Sequence, residues 1–297
     1  MDSEALATFL AIHHAGGISK AAVQLRRSQP AISRRIALLE QQLNVPLFDR
    51  VGGSLALSEA GRILLPFAER LVATLRDADE AIKSFQRAET GFVSVAVVGT
   101  LADVKLTKVL TRFQRETPGV HVKLQTASSA EVSALVRRGE AVIGLRYLND
   151  PSADIDSRDL KPEAMVIACG RDHPLAGRKV RSIAALRHEN WLAFPRRPRA
   201  ADDAEAIIAA HFMTHQIFDV AFTPVDSLTA HKRLIEAGYG IALLSESAIR
   251  EERARGSIAV ISVQGFKAAN PVKLVTRKEG YLSPGARRFI KHVISEF

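Results

Sequence analysis

Four apolar residues, Ile32, Ile36, Leu39 and Leu43, recur at steps of four, three and four, the spacing of one buried helical stripe. Ser28 stands where an N-cap belongs, and Pro30 falls in the first turn, where a missing N–H costs nothing. At about 100° per residue, Pro30, Arg34 and Ala37 lie opposite that stripe, with Ser33 beside them. Small residues around one long cation make a slim face, suited to a DNA major groove about 12 Å wide.

Upstream, Ser19 is placed to cap a short helix running to Leu25, with Ile18 before it as a hydrophobic staple. Ala21 and Ala22 are small enough for a second helix to cross closely, and Arg26-Arg27 is a charged connector. Two such helices describe a helix-turn-helix. Taken alone, they also fit a small helical core with surface arginines. After Asn44, which tolerates the left-handed conformation, Leu47-Phe48-Asp49-Arg50 reads as a strand. Residues 51–54 read as a hairpin turn and 55–57 as the return strand, which makes a wing. Arg50 at its base is placed to reach a phosphate or a minor groove.

Ser58 caps a long helix that begins at Glu59 and runs to about Arg87, with Gly61 in its first turn and Pro66 expected to kink it. Leu64, Leu71, Ala78 and Phe85 repeat every seven residues, and so do Ala68, Leu75 and Ile82, offset by four. This heptad seam predicts a two-helix dimer interface; a helix packed on its own domain is the alternative. At 1.5 Å per residue the helix spans roughly 40 Å.

From Gly91 onward short apolar runs alternate with helical patterns. Strands are expected at residues 92–98, 120–124, 142–145, 165–169, 191–194, 218–222, 240–244, 258–263 and 272–276. Helices are expected at 103–116, 130–138, 202–214 and 245–255, after the caps Ser182 and Ser227, and from Ser283-Pro284 to the end. The alternation predicts parallel sheets covered on both faces. Breaks near residues 159–162 and 265–271 divide the segment into two α/β lobes.

The 297 residues exceed one comfortable core and predict two or three domains. The net charge is +9, yet residues 1–88 carry 11 Lys/Arg against 9 Asp/Glu, so +7 of it lies elsewhere. The basic balance is therefore no argument for DNA contact. It suits an anionic small molecule near the C-terminal lobes, or simply an arginine-rich solvated surface. The single cysteine, Cys169, excludes an intrachain disulfide and sits in an apolar run as a buried, inert thiol. No signal peptide and no membrane-length apolar stretch is found, so a cytoplasmic protein without membrane contact is expected.

Catalytic chemistry is weakly represented. His211 and His215 stand four apart on a helix but lack a glutamate at the hydrolytic position, which favours a packed or solvated pair over a metal site. No Gly-rich phosphate loop is present, and neither an enzyme nor a cofactor is expected. Open α/β sheets bind ligands beyond the carboxyl ends of their strands. The residues there are Thr100, Ser128, Arg146 and the run Phe194-Pro195-Arg196. Hydroxyls and a bidentate arginine suit a small organic anion. Each of these residues is equally compatible with a helix cap or ordinary surface.

The run Ser19-Lys20-Ala21-Ala22, Leu25, Ser28-Gln29-Pro30-Ala31-Ile32-Ser33, Ile36, Leu39-Glu40, Leu43, Val45-Pro46-Leu47-Phe48-Asp49-Arg50, Leu57-Ser58 and Gly61 resembles the N-terminal signature of LysR-type transcriptional regulators. It covers about sixty residues nearly without gaps; the rest resembles the family by organisation. The resemblance implies an α/β fold with an N-terminal winged helix-turn-helix (1–58), a long linker and dimerisation helix (59–88), and a two-lobed periplasmic-binding-protein-like effector domain (89–297). Lobe 1 would hold about 90–161 and 269–297, and lobe 2 about 162–268. Double-stranded DNA would be addressed by Ser28, Gln29, Pro30, Ser33 and Arg34 in the major groove, by Arg50 from the wing, and by Arg26, Arg27 and Arg35 at the flanks. Thr100, Ser128, Phe194 and Pro195 sit where the family places its inducer contacts. The family forms homodimers through the linker helix, commonly paired as homotetramers. Val142 stands where many members carry Asp, and the Pro common near Leu106 is missing, which puts the shape of lobe 1 in question. The competing class is a solute-binding protein or small-molecule enzyme on the two-lobed fold, its N-terminal segment serving only to dimerise. A regulator with a vestigial effector lobe lies between the two.

Overall fold

The computed structural model describes residues 1–51, 54–86, 91–102, 104–195 and 204–297. One unit is built on Met1–Gln86 and another on Arg87–Val136 with Ala141–Phe297. Among the described residues no helix is long and apolar enough to cross a membrane.

The first unit opens with α1 (Ser3–Ala15), capped by Asp2, whose carboxylate accepts from Ala5 N at 2.7 Å. Leu6, Phe9, Leu10 and Ile12 are all buried, so apolar residues surround this helix and form no single stripe. Helix α2 (Ile18–Leu25) starts at Gly17, not at Ser19; the Ser19 hydroxyl donates to Gln29 Oε1 at 3.3 Å instead. Ile18 is therefore the first helical residue, and it packs on the same core. Helix α3 (Gln29–Leu43) begins at Ser28, whose hydroxyl accepts from Ala31 N, and ends at Asn44 in the left-handed conformation, φ 54°. Ile32, Ile36 and Leu39 are buried, while Leu43 is 37% exposed, so the buried stripe stops a turn early.

Strands β1 (Phe48–Val51) and β2 (Ser54–Leu57) pair antiparallel, with Arg50 opposite Leu55; the turn residues Gly52 and Gly53 lie outside the described residues. The wing is fixed to α3 by Glu40, whose Oε1 accepts from Leu47 N at 2.7 Å and Phe48 N at 3.3 Å. Ser58 then caps α4 (Glu59–Gln86), accepting from Gly61 N at 3.0 Å and donating to Pro46 O at 2.7 Å. A Cβ on Gly61 would stand 2.2 Å from Leu47 O, so only glycine lets the helix pass the wing. Pro66 lies inside α4 without ending it.

The outward stripe of α4 differs from the expected seam. Ala68 is fully buried and Leu64 packs against the domain core. Ile63 and Phe67 take their places beside Leu71, Leu75, Ile82 and Phe85, all exposed. A seven-residue count could not tell which of two adjoining stripes α1 would cover.

The second unit holds two sheets. The first has the order β4-β3-β5-β14-β6, from β3 (Gly91–Val98), β4 (Val120–Ala127), β5 (Ile143–Tyr147), β6 (Ile155–Asp159) and β14 (Val272–Arg277). Helices α5 (Val104–Glu116) and α10 (Pro284–Glu296) cover one face, where Phe113 and Phe289 meet edge-on at 5.1 Å. Helix α6 (Ser129–Arg137) covers the other through Val132 and Val136. The second sheet runs β10-β9-β11-β7-β12-β8. Its strands are β7 (Glu163–Gly170), β8 (Lys179–Val180), β9 (Trp191–Ala193), β10 (Phe222–Pro224), β11 (Ile241–Ser245) and β12 (Ile258–Val263), with β13 (Ala268–Asn270) also on β7. Helices α7 (Ala204–Met213), α8 (Leu228–Glu236) and α9 (Arg250–Arg255) flank it. The expected helix over 245–255 divides into a 3-10 turn, Ser247–Ile249, and α9. The strand expected at 218–222 forms only at its end, as β10.

Both sheets are mixed rather than parallel. β7 runs antiparallel to β11 and β12, and β14 runs antiparallel to β5 and β6. These are the strands with which the chain crosses between lobes. Met165 near the start of β7 pairs with Ser245 at the end of β11, and Val272 at the start of β14 with Tyr147 at the end of β5. A crossing strand enters its sheet where its neighbours finish, so it must run against them. Both crossings therefore lie at carboxyl ends, the edge where such sheets take ligands.

Candidate DNA-reading surface and interlobe site

On α3 the side chains of Gln29, Pro30, Ser33, Arg34 and Ala37 are exposed together, opposite the buried Ile32, Ile36 and Leu39. Ser28 is exposed and its hydroxyl is occupied by the cap. Arg34 is exposed and enters no ion pair among the described residues. Arg35 does not share that freedom. Its Nη1 lies 2.6 Å from Glu4 Oε2, an exposed ion pair between α3 and α1. Arg26 ends α2 with φ 52°, a left-handed conformation costing a non-glycine residue roughly 1 kcal/mol. Arg26, Arg27 and, on the wing, Arg50 are exposed.

In the second unit, the β3 and β4 ends are neighbours, since Val98 pairs with Ala127. Thr100 and Ser128 follow those ends. Ser128 caps α6, accepting from Glu131 N at 3.4 Å. Thr100 donates to the Tyr147 hydroxyl at 3.0 Å. Tyr147 in turn donates to Glu163 Oε2 at 2.6 Å, and Ser247 donates to Glu163 Oε1 at 2.6 Å. Thr100 and Tyr147 belong to the first lobe, Glu163 and Ser247 to the second, so the buried Glu163 carboxylate ties the lobes together. Tyr147, Glu163 and Ser247 escape the sequence reading. The usable signal was that Glu163 directly follows the crossover residue Pro162.

Arg146 is corrected. Its side chain is 8% exposed; Nη1 reaches Asp150 Oδ2 at 2.7 Å and Ser133 Oγ at 2.6 Å, and Nε donates to Tyr147 O. The guanidinium is thus spent inside the first lobe and presents no free fork to a ligand. Burial pushes the Asp150 carboxyl up, but hydrogen bonds from Ser133 and Ser152 and the Arg146 charge outweigh it, bringing the pKa down to about 2.

Phe194 follows β9, half-buried, its ring 4.4 Å from that of His231; Pro195 is exposed, and Arg196 lies outside the described residues. His231 is fully buried; burial lowers its pKa, opposed by its bond to Ser227 O, and its Nε2 has no hydrogen-bond partner among the described residues. Cys169 is buried and its thiol is raised to about 11, by burial first and then by Glu189, as suits an inert sulfur. The side chain of His211 is outside the described residues, and the His215 ring stands 3.5 Å from the Ser182 hydroxyl. Among the described residues no three His, Cys, Asp or Glu side chains gather as a metal site.

Comparison with known proteins agrees with both halves. Residues 3–62 match the description "Bacterial regulatory helix-turn-helix protein, lysR family", and residues 86–297 match "LysR substrate binding domain". The HTH-type transcriptional activator CmpR of Synechocystis sp. is 26% identical over 97% of this chain and 93% of its own length. The HTH-type transcriptional regulator CbbR of Rhodospirillum rubrum is 28% identical over 92% of this chain and 89% of its own. Both are regulators rather than enzymes. Full-length CbnR solved with its target DNA superposes with a TM-score of 0.64 at 25% identity, covering 100% of each chain. The chain belongs to the LysR family of bacterial helix-turn-helix transcriptional regulators.

Proposed function

We propose that this protein is a sequence-specific DNA-binding transcriptional regulator of the cytoplasm, whose DNA-bound state is set by a small molecule held between its lobes. The observation that carries the DNA reading is the exposed face of α3, with Arg34 exposed among small residues. Gln29, Pro30 and Ser33 flank it in the groove, while Ser28, Arg26, Arg27 and Arg50 meet phosphates or flanking edges. That CbnR has been solved on its target DNA supports the same use of the fold here. The α4 stripe supports a homodimer: six large apolar side chains, from Ile63 to Phe85, stand between 48% and 87% exposed. A second copy is the partner such a stripe fits. Two dimers would address two half-sites as a tetramer.

The effector reading rests on the strand-end positions of Thr100, Ser128, Phe194 and Pro195 and on the hydroxyl–carboxylate link between the lobes. With Arg146 committed internally, the case for an anionic effector no longer rests on that residue. Quantitative footprinting on DNA from upstream of the protein's own gene tests the DNA role. Arg34→Ala is expected to weaken specific binding by about 1–3 kcal/mol while leaving salt-sensitive, sequence-blind retention. Unchanged affinity in that variant would remove Arg34 from the reading face.

A further inference from the structure

We infer that Ser19 is a positioning residue for base reading. Its hydroxyl holds the Gln29 amide by the oxygen, so Gln29 turns its NH2 to the groove and selects keto bases, guanine or thymine, over adenine and cytosine. This assignment rests on the DNA reading above and adds what the glutamine recognises. The Ser19 hydroxyl donates to Gln29 Oε1 at 3.3 Å, and both side chains are exposed. Ser19 is available for this because α2 begins at Gly17 and no side chain caps it. The neighbouring Ser28 hydroxyl does not compete, being taken by Ala31 N. The link joins two fixed elements, since Ala21 of α2 and Ile32 of α3 are buried in one core.

The first N–H groups of α2 meet no capping side chain, and the positive end of a helix favours a carbonyl oxygen over an amino group. That fixes which end of the amide faces α2. An unheld glutamine shows a donor and an acceptor together, the pair that matches adenine N6 and N7. Held by its oxygen, Gln29 is left to read with the two donors of its NH2. Guanine O6 and N7 and thymine O4 accept from it. The amino groups of adenine and cytosine are donors themselves, and against an NH2 both sides stay unpaired in a closed interface. One serine therefore converts an adenine reader into a keto-base reader. Arg34 also carries donors only, so the base that Gln29 meets has to be located by a variant of Gln29 itself.

The test is repeated selection of bound duplexes from a randomised pool by the full-length parent and three variants, with base frequencies read at every position. Gln29→Ala locates the contact, as the position where preference is lost. There the parent is expected to favour a keto base by about tenfold. Ser19→Ala is expected to abolish that preference or pass it to adenine, with the other positions unchanged. Ser19→Thr, which keeps the hydroxyl, is expected to select as the parent does. Alanine at this exposed, non-capping position of a helix leaves α2 intact. A parent preference for adenine or cytosine at the located position overturns the assignment, as does an unchanged preference in Ser19→Ala. Selectivity lost at all positions in Ser19→Ala makes Ser19 merely structural and overturns its positioning role. If Gln29→Ala alters no position, the assignment falls while the DNA reading through Arg34 stands. If the parent selects no sequence at all, the DNA reading falls and takes the assignment with it.

Discussion

Replacing Asp150 by Asn tests whether Arg146 is half of a structural ion pair rather than a ligand-reading arm. In the native lobe Arg146 Nη1 and Asp150 Oδ2 are 2.7 Å apart, both side chains are 8% exposed, and Asp150 Oδ1 accepts from Ser152 N at 2.9 Å. The carboxyl pKa is lowered from 3.8 to about 2, which at roughly 1.36 kcal/mol per tenfold corresponds to about 2 kcal/mol at neutral pH. The sign follows from proton uptake. The unfolded chain takes its proton near pH 4 and the folded one only near 2, so this stability is complete above pH 4 and fades as pH falls through 2. Asparagine keeps the shape and leaves Arg146 buried without a counter-charge. Breaking one side of such a pair costs up to about 3–5 kcal/mol. We expect a loss of about 2–4 kcal/mol at pH 7 in urea denaturation of the full-length protein, followed by circular dichroism. The titrating part of the gap shrinks to about half by pH 3. Trp191, the one tryptophan, is buried in the second lobe, so its fluorescence reports the neighbouring lobe separately. Equal stability at pH 7, or a gap that does not narrow between pH 5 and pH 3, refutes the pairing.

Three further outcomes follow from the geometry. Gly61→Ala forces a methyl group to 2.2 Å from Leu47 O, and a thermal melt should show a loss of about 1–3 kcal/mol or more in the N-terminal unit; parent-like stability would mean that the wing is not pinned there. Leu71→Asp/Leu75→Asp, placed on the outward face of α4, should convert the sedimenting species to monomer without unfolding it, and persistence of the dimer would move the interface elsewhere. His231 is held below its ordinary 6.5 by burial, so the unfolded state protonates first and the parent loses stability as pH drops below 6.5. His231→Leu should flatten that part of the profile, and an undiminished slope would assign it to another group.

The parts legible in the sequence are those decided within one turn of chain. Ser28 and Ser58 mark their helices because a cap needs only its own hydroxyl and an N–H three residues on. Asn44 marks an end for the same local reason. Helix α1 left no such trace: with Leu6, Phe9, Leu10 and Ile12 all buried, its pattern has no polar face to contrast with. The outward stripe of α4 was only partly legible, because Leu64 and Ala68 satisfy a heptad as well as Ile63 and Phe67 do. Packing against α1, distant in sequence, decides between them. The alternation of strands and helices foretells the parallel pairs of β3 and β9, but not the reversed β7 and β14, since an apolar run such as that of β7 reads the same whether its neighbours run with it or against it.

The interlobe site shows why a strand-end position is ambiguous. Arg146 and Tyr147 are adjacent at the end of β5, yet one turns into its lobe and the other reaches the partner lobe. Asp150 and Ser133 decide the first, and Glu163 decides the second. Tyr147 meets Glu163 across 16 residues, and Ser247 meets it across 84, separations at which no spacing rule operates. The chemistry of that link also bears on function. Each lobe is held by its own core, around Phe113 and Phe289 in one and Trp191 and Phe212 in the other, with each buried aromatic contributing about 1.5–3 kcal/mol. Between them stand hydroxyls on one carboxylate, hydrogen bonds of about 1.5–3 kcal/mol each. A ligand contributing a few kcal/mol of differential affinity can therefore rearrange the crossing while both lobes keep their internal packing. Binding at the carboxyl ends would by that difference in stiffness be converted into relative motion of the lobes.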